Sequence, residues 1–258
     1  MKKVLFLFLF AMSFFGVFLN ASSLYERLIN KETISVGTEG IYPPFTYHNK
    51  EGKLTGYDVE VARELAKELG VEIKFHETSW DIMLTGLKSG RFDMVANQVS
   101  LTTKKRQATF DKSLPYSYSG TIMLVRKDEK RIKDIKDIKG LRAANTLSST
   151  YGEIASKYDA QIVSVDSMAQ ALLLVAQKRA DLTLNSSLAI LNYLNTHKNN
   201  PFKIAWESKE KDEGASFVIN KHQEKALELI NQAMQRLIDK GVLKRLSEQF
   251  FGKDVSQP

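Results

Sequence analysis

Hydrophobic positions along the chain alternate between a period of two residues and a period of three to four, which is typical of alternating strands and helices. In the first half, the predicted elements are strand 33–38, helix 58–69, strand 71–77, helix 80–88 and strand 92–98. The first helix shows one apolar stripe: Val59, Ala62, Leu65, Ala66 and Leu69. Gly70 is its expected end. Strands that alternate with helices predict an α/β fold, with a largely parallel sheet covered on both faces.

The second half repeats this plan. Its predicted elements are strand 140–145, helix 150–158, strand 161–165, helix 167–178 and strand 181–185. A short motif also recurs: GRFD (90–93) leads into a strand that ends at Asn97, and KRAD (178–181) leads into one that ends at Asn185. We interpret this as two similar lobes, although a chance likeness between α/β units would give the same pattern.

Two extended apolar runs separate the halves, GTIMLVRK (120–127) and GASFVINK (214–221). One run would leave the first lobe and the other would return to it, so together they predict a two-strand hinge. Two amphipathic helices, within 225–241 and 243–252, are expected to pack on the first lobe. The predicted domains are a signal peptide at 1–21, a discontinuous first lobe at 22–121 and 217–258, and a second lobe at 122–216.

The N-terminus has the pattern of a secretory signal peptide. Lys2 and Lys3 precede an apolar run over 4–19, and small or polar residues follow it. The run is slightly short for a bilayer of about 30 Å, so we predict cleavage after Ala21, with an uncleaved membrane anchor as the alternative. The expected location is the periplasm.

Composition excludes several classes of protein. The chain has 258 residues, 43% of them hydrophobic, which is normal for a packed globular protein. It contains no cysteine, and therefore neither a disulfide nor a thiol nucleophile. The net charge of +7 is spread along the chain, and the one local cluster, over 126–139, mixes basic and acidic residues, so nucleic acid is not an expected partner.

One long stretch carries a specific resemblance. The sequence VGTEGIYPPFTYHNKEGKLTGYDVEVARELAKELG (36–70), followed by Trp80-Asp81, GRFDMVANQ (90–98) and DKG (239–241), resembles the periplasmic amino-acid-binding proteins of ABC importers, most closely their cystine-binding branch. The similarity extends from about Thr33 to Gly252. It implies a two-lobed type II periplasmic binding protein with a ligand cleft between the lobes.

The resemblance implies an aromatic contact with the ligand's side chain. Tyr42, held by Pro43 and Pro44, would supply a rigid ring, and Trp80 would form the facing wall. Two structural roles remain open: Tyr42 as a lid over the end of the sheet, and Trp80 as a buried residue at a helix start.

For the ligand carboxylate, the resemblance implies an arginine in a T-x-x-R stretch, backed by a hydroxyl such as that of Ser100. Arg106 has this spacing from Thr103. Lys105 is the alternative, because Ser100 lies one residue further from Arg106 than is usual in the family. We prefer Arg106, since a guanidinium matches a carboxylate with two hydrogen bonds. A solvated basic turn is the plain structural alternative.

The second lobe is expected to complete the carboxylate site at a helix start. Ser149 and Thr150 precede or begin the helix predicted at 150–158, where free amides and a positive dipole end favour an anion. Thr150 with Glu153 also fits a capping box, which would use the same hydroxyl.

The ammonium contact departs from the family pattern. Many amino-acid binders carry an aspartate where this chain has Ser186. Glu39 is the remaining acid best placed to substitute, and backbone carbonyls near Gln98 and Ser100 would share the contact. If this contact is absent, the ligand is not an ordinary α-amino acid.

The resulting expectation is an extracytoplasmic receptor, not an enzyme, that binds a polar amino acid and delivers it to the permease of an ABC importer. L-cystine or cysteine is the preferred ligand, and the protein is expected to act as a monomer without cofactor or metal. The alternatives are a dehydratase-like enzyme on the same scaffold, and a ligand-sensing or surface-adhesive protein.

Overall fold

The computed structural model describes residues 22–258 and contains two five-stranded sheets and a small three-stranded one. The strands are β1 (Ile34–Thr38), β2 (Ile41–Tyr42), β3 (Thr46–His48), β4 (Leu54–Thr55), β5 (Ile73–Glu77), β6 (Met94–Val99), β7 (Phe110–Lys112), β8 (Thr121–Arg126), β9 (Arg142–Asn145), β10 (Gln161–Ser164), β11 (Leu182–Ser186), β12 (Phe202–Glu207) and β13 (Ser216–Asn220). The predicted signal peptide, 1–21, lies outside the described residues.

Helices flank these sheets, and none of those in residues 22–258 is long and apolar enough to cross a membrane. They are α1 (Leu24–Ile29), α2 (Tyr57–Leu69), α3 (Trp80–Lys88), α4 (Lys104–Thr109), α5 (Thr150–Lys157), α6 (Met168–Ala176), α7 (Ser187–Thr196), α8 (Glu224–Asp239) and α9 (Val242–Phe251), with a short 3-10 helix at Ile135–Ile138.

The two large sheets share one plan, which confirms the predicted similarity of the two halves. Their strand orders are β5-β1-β6-β13-β7 and β10-β9-β11-β8-β12. In each sheet the first three strands are parallel, and the fourth runs antiparallel to both of its neighbours. We call the part of the chain built on the first sheet the first lobe and the part built on the second sheet the second lobe. The residue boundaries predicted for the lobes stay a prediction.

The repeated motif has the same structural role in both lobes. The Asp93 carboxylate accepts a hydrogen bond from the backbone N–H of Ser35 in β1, at 2.8 Å. The Asp181 carboxylate accepts one from the backbone N–H of Arg142 in β9, at 3.0 Å. Each aspartate therefore ties the start of one strand to its neighbour, which fixes where the strands end on the cleft side.

The two apolar runs predicted as a hinge are the antiparallel strands β8 and β13, one in each sheet. The chain crosses between the lobes in the two segments that precede them. These segments are hydrogen-bonded to each other: the N–H of Asp212 donates to the carbonyl of Ser119, and the N–H of Ala215 donates to that of Ser117, both at 2.8 Å. The two segments therefore run side by side where the chain crosses between the lobes.

The first lobe has the larger described core. The predicted apolar stripe of α2 is buried there, and Gly70 ends the helix with a φ of 70°. Four of its five residues, all but Val59, share one core cluster with the buried faces of α8 and α9, including Ile230, Met234 and Leu243. The C-terminal helices therefore belong to the first lobe, as expected.

Candidate functional site

A cavity of about 230 Å³ lies between the lobes, where β1, β6, β9 and β11 end. This is the edge at which open α/β sheets bind ligands. Seven of the nine residues predicted from the sequence line the cavity: Glu39, Tyr42, Trp80, Gln98, Ser100, Ser149 and Thr150. Arg106 donates hydrogen bonds to two of them, Ser100 and Thr150. Ser186 lies outside the lining.

Arg106 reaches from the first lobe to the second. It lies in α4, a six-residue helix without an apolar stripe that the sequence pattern did not predict. One guanidinium nitrogen donates to the carbonyl of Ser100 at 3.2 Å and to the hydroxyl of Thr150 at 3.1 Å. The other donates to the carbonyl of Ser148. The guanidinium also lies 5.9 Å from the ring centre of Trp80, which orients it by a cation–π contact.

The second lobe presents the start of α5 to this guanidinium. Ser149 is the N-cap residue, and its hydroxyl accepts a hydrogen bond from the N–H of Gly152 at 3.0 Å. The capping box considered for Thr150 and Glu153 is therefore wrong, because the helix is capped one residue earlier. The Thr150 hydroxyl faces Arg106 instead. The cap leaves the positive end of the helix dipole directed at the cavity.

Tyr42 forms an aromatic wall and also a bridge between the lobes. Its ring packs on Phe45, with centroids 5.0 Å apart, and its hydroxyl donates to the side chain of Asn185 at 2.6 Å. Trp80 lines the same cavity, and its indole N–H is buried without a hydrogen-bond partner among the described residues. A buried donor of this kind is a ready contact for a polar ligand group.

Glu39 is the predicted acid on the first-lobe side of the cavity. Its carboxylate accepts a hydrogen bond from the side-chain amide of Asn97 at 2.6 Å, and its backbone N–H donates to the same side chain. Burial raises the pKa of the Glu39 carboxyl to about 7, against the opposing effect of the Asn97 hydrogen bond. A cationic ligand group would favour its ionised form.

Gln98 and Ser186 use their side chains behind the cavity wall. The Gln98 amide donates to Asp58 at 2.7 Å and to Ser117 at 3.0 Å. The Ser186 side chain is fully buried, and its hydroxyl donates to that of Ser119 at 3.1 Å. These two side chains hold the site's framework in this arrangement.

Sequence reasoning missed several cavity residues. The missed lining residues include six with polar side chains: Asn97, Asn145, Tyr151, Thr183, Asn185 and Asp212. Asn97 and Asn185 had a usable signal, because each lies four residues after the aspartate of the repeated motif. Asp212 had none, since it lies in the irregular segment that crosses between the lobes.

Asp212 is a second acid in the cavity. Its carboxylate accepts hydrogen bonds from the N–H of Gly214 at 3.0 Å and from the hydroxyl of Ser119 at 3.3 Å. Ser119 in turn accepts a hydrogen bond from Ser186, the position where many amino-acid binders carry an aspartate. Asp212 is therefore linked to that position through two hydrogen bonds. Burial raises the pKa of the Asp212 carboxyl above its usual range.

The cavity has a polar lining that suits an organic solute rather than a metal ion. Among residues 22–258 no group of three or more acidic, histidine or cysteine side chains is arranged to hold a metal ion. The lining instead combines two carboxylates, one guanidinium at its edge, a helix start and three aromatic rings. This set suits a small zwitterion with a partly apolar body.

Comparison with known proteins agrees with this geometry. Residues 34–253 match the family model of the bacterial extracellular solute-binding proteins, family 3. The L-cystine-binding protein TcyA of Bacillus subtilis is 43% identical over 235 residues, which cover 91% of this chain and 87% of that protein.

Two solved structures are also similar. The L-cystine solute receptor of Neisseria gonorrhoeae, in its unliganded open conformation, has 53% identity and a TM-score of 0.63, over 92% of this chain and all of that one. An ancestral arginine-binding protein bound to arginine has 29% identity and a TM-score of 0.79, over 85% of this chain and 98% of that one.

Proposed function

The chain belongs to the bacterial extracellular solute-binding proteins, family 3, and from that premise we propose that it is a receptor that encloses L-cystine between its two lobes and delivers it to the permease of an ABC importer. The names of TcyA and of the gonococcal receptor support cystine as the ligand. The proposed location is the extracytoplasmic space, and the proposed active form is a monomer.

The observation that carries this proposal is a carboxylate site divided between the lobes. Arg106 comes from the first lobe, whereas Thr150 and the start of α5 come from the second. A ligand carboxylate that binds both groups is fully held only when the lobes are together. Binding therefore shifts the population towards the closed state, which is how such a receptor signals that it is loaded.

The structural comparisons support this use of the hinge. The TM-score is 0.63 with the receptor solved open and unliganded, which is 53% identical. It is higher, 0.79, with the arginine-bound protein, which is only 29% identical. We attribute the lower overlap to a different arrangement of the lobes in the open receptor. The conformation described here resembles a ligand-bound receptor.

Isothermal titration calorimetry tests the proposal. Purified protein that lacks the predicted signal peptide is titrated with L-cystine under non-reducing conditions, and with each of the common amino acids. We expect L-cystine to bind with a dissociation constant of roughly 1 µM or tighter. Mass spectrometry should recover the ligand unchanged, since a receptor does no chemistry on it. Failure of every compound to bind more tightly than about 1 mM would contradict the proposal.

A further inference from the structure

The lining of the cavity carries more acidic side chains than basic ones. Two carboxylates, Glu39 and Asp212, line the cavity, and Arg106 is the one basic side chain that we place at its edge. A cavity with this composition complements a solute that carries more positive groups than a simple zwitterion does.

Both carboxylates are held by neutral groups alone. Glu39 accepts from Asn97, and Asp212 accepts from Ser119 and Gly214. No cation is among the groups of residues 22–258 that act on either acid. A buried carboxylate without a positive partner is poorly compensated, so each acid is a favourable place for an ammonium group.

The two acids belong to different parts of the molecule. Glu39 directly follows β1 in the first lobe, whereas Asp212 lies in the crossing segment that enters the first lobe before β13. Asp212 is held against the other crossing segment by the backbone N–H and the hydroxyl of Ser119, at 3.4 and 3.3 Å. Each acid is therefore fixed separately, and the two do not share a hydrogen-bond partner.

We propose that Glu39 and Asp212 bind two different ammonium groups of one ligand, so that the cavity selects amino acids carrying two. This inference rests on the proposed receptor function and narrows its ligand class. L-cystine has two ammonium groups, whereas cysteine has one. Two ammonium sites would therefore favour L-cystine over cysteine, the two ligands that the sequence left open.

Two mixed disulfides provide a test that requires no mutation. The disulfide of cysteine with 3-mercaptopropionate is L-cystine without one ammonium group, and the disulfide of cysteine with cysteamine is L-cystine without one carboxylate. Against the wild-type protein, we expect removal of the ammonium to weaken binding about 10- to 100-fold relative to L-cystine. The disulfide with cysteamine should bind more tightly than the disulfide with 3-mercaptopropionate.

Asp212→Asn tests the assignment of the second acid. Asparagine keeps an oxygen that can accept from the N–H groups of Ser119 and Gly214, so thermal unfolding should show a folded protein. We expect the variant to bind L-cystine about 10- to 100-fold more weakly than wild type does. Its affinity for the disulfide of cysteine with 3-mercaptopropionate, which lacks one ammonium group, should change little. Glu213→Gln is the matched control, because that neighbouring acid pairs with Lys112 at 2.7 Å and does not line the cavity.

The outcomes separate this inference from the function on which it rests. If wild-type protein binds L-cystine and the ammonium-lacking disulfide equally well, the inference is overturned and the receptor function stands. Full affinity of Asp212→Asn for L-cystine would likewise overturn the role of Asp212. If wild-type protein does not bind L-cystine, the cystine assignment itself fails. Because the disulfide comparison uses only wild-type protein, it tests the requirement for two ammonium groups even if the variant does not fold.

Discussion

Arg106 and Lys105 are neighbours with the same charge, but their surroundings differ. The Arg106 side chain is buried, with the residue only 7% exposed, whereas Lys105 is exposed. The N-cap at Thr103 sets this difference, because its hydroxyl accepts from the N–H of Arg106 and fixes the start of α4. The preference for Arg106 as the carboxylate residue remains a prediction, and its position supports it.

Arg106→Ala is expected to remove most of the affinity for L-cystine. A guanidinium makes two charge-assisted hydrogen bonds to a carboxylate, so the loss should be about 100-fold or more in the dissociation constant. Titration calorimetry measures it, and Lys105→Ala is the matched control, with affinity close to wild type. The reverse result, in which only Lys105→Ala abolishes binding, would show that our register for this segment is wrong.

At the scale of elements, Asp58 joins three parts of the first lobe. It lies in the first turn of α2 and accepts hydrogen bonds from the N–H of Gln98 in β6 and from the hydroxyl of Tyr116. Gln98 has a φ of 50°, an uncommon value for a residue other than glycine. The carboxylate thus supports the backbone where β6 reaches the cavity.

This buried acid should make the stability of the protein depend on pH. Burial raises the pKa of Asp58 from 3.8 to about 7. Because the folded pKa is the higher one, its contribution to stability is complete below about pH 4 and is lost as the pH rises towards 7.

Urea unfolding of wild type and Asp58→Asn at pH 5, 6, 7 and 8 measures this effect. Between pH 5 and 7 the free energy of unfolding of the wild type should fall more steeply than that of the variant, by up to about 1.4 kcal/mol per pH unit. Parallel pH profiles of the two proteins would contradict this prediction.

At the scale of the whole molecule, several direct contacts hold the lobes together. Besides the contacts of Tyr42 and Arg106, the Asp81 carboxylate in α3 accepts from the N–H and the hydroxyl of Ser148, at 3.1 and 2.6 Å. This pair connects the first lobe to the loop before α5. It stabilises the closed state without any contribution from a ligand.

Asp81→Ala should therefore shift the ligand-free protein towards the open state. The loss of these hydrogen bonds is expected to weaken L-cystine binding by roughly two- to tenfold. Small-angle scattering should give a larger radius of gyration without ligand and a value equal to wild type at saturation. Glu51→Ala, in the exposed turn between β3 and β4, is the control. Unchanged scattering and affinity in Asp81→Ala would exclude a role for this contact in closure.

The sequence by itself determined the features that depend on neighbouring residues. The stripe of α2, its end at Gly70 and the two copies of the strand motif follow from local periodicity, and the structure confirms them. Seven predicted site residues line the cavity because strand ends and helix starts are local features, and parallel sheets bring them to one edge.

Only the tertiary structure decided which distant residues meet. Asp212 and Ser119 are 93 positions apart, and only the side-by-side course of the crossing segments brings them together. The burial of a carboxylate and the direct contacts between the lobes have the same origin. A local pattern specifies an element, but the electrostatics of a cavity depend on every chain segment that surrounds it.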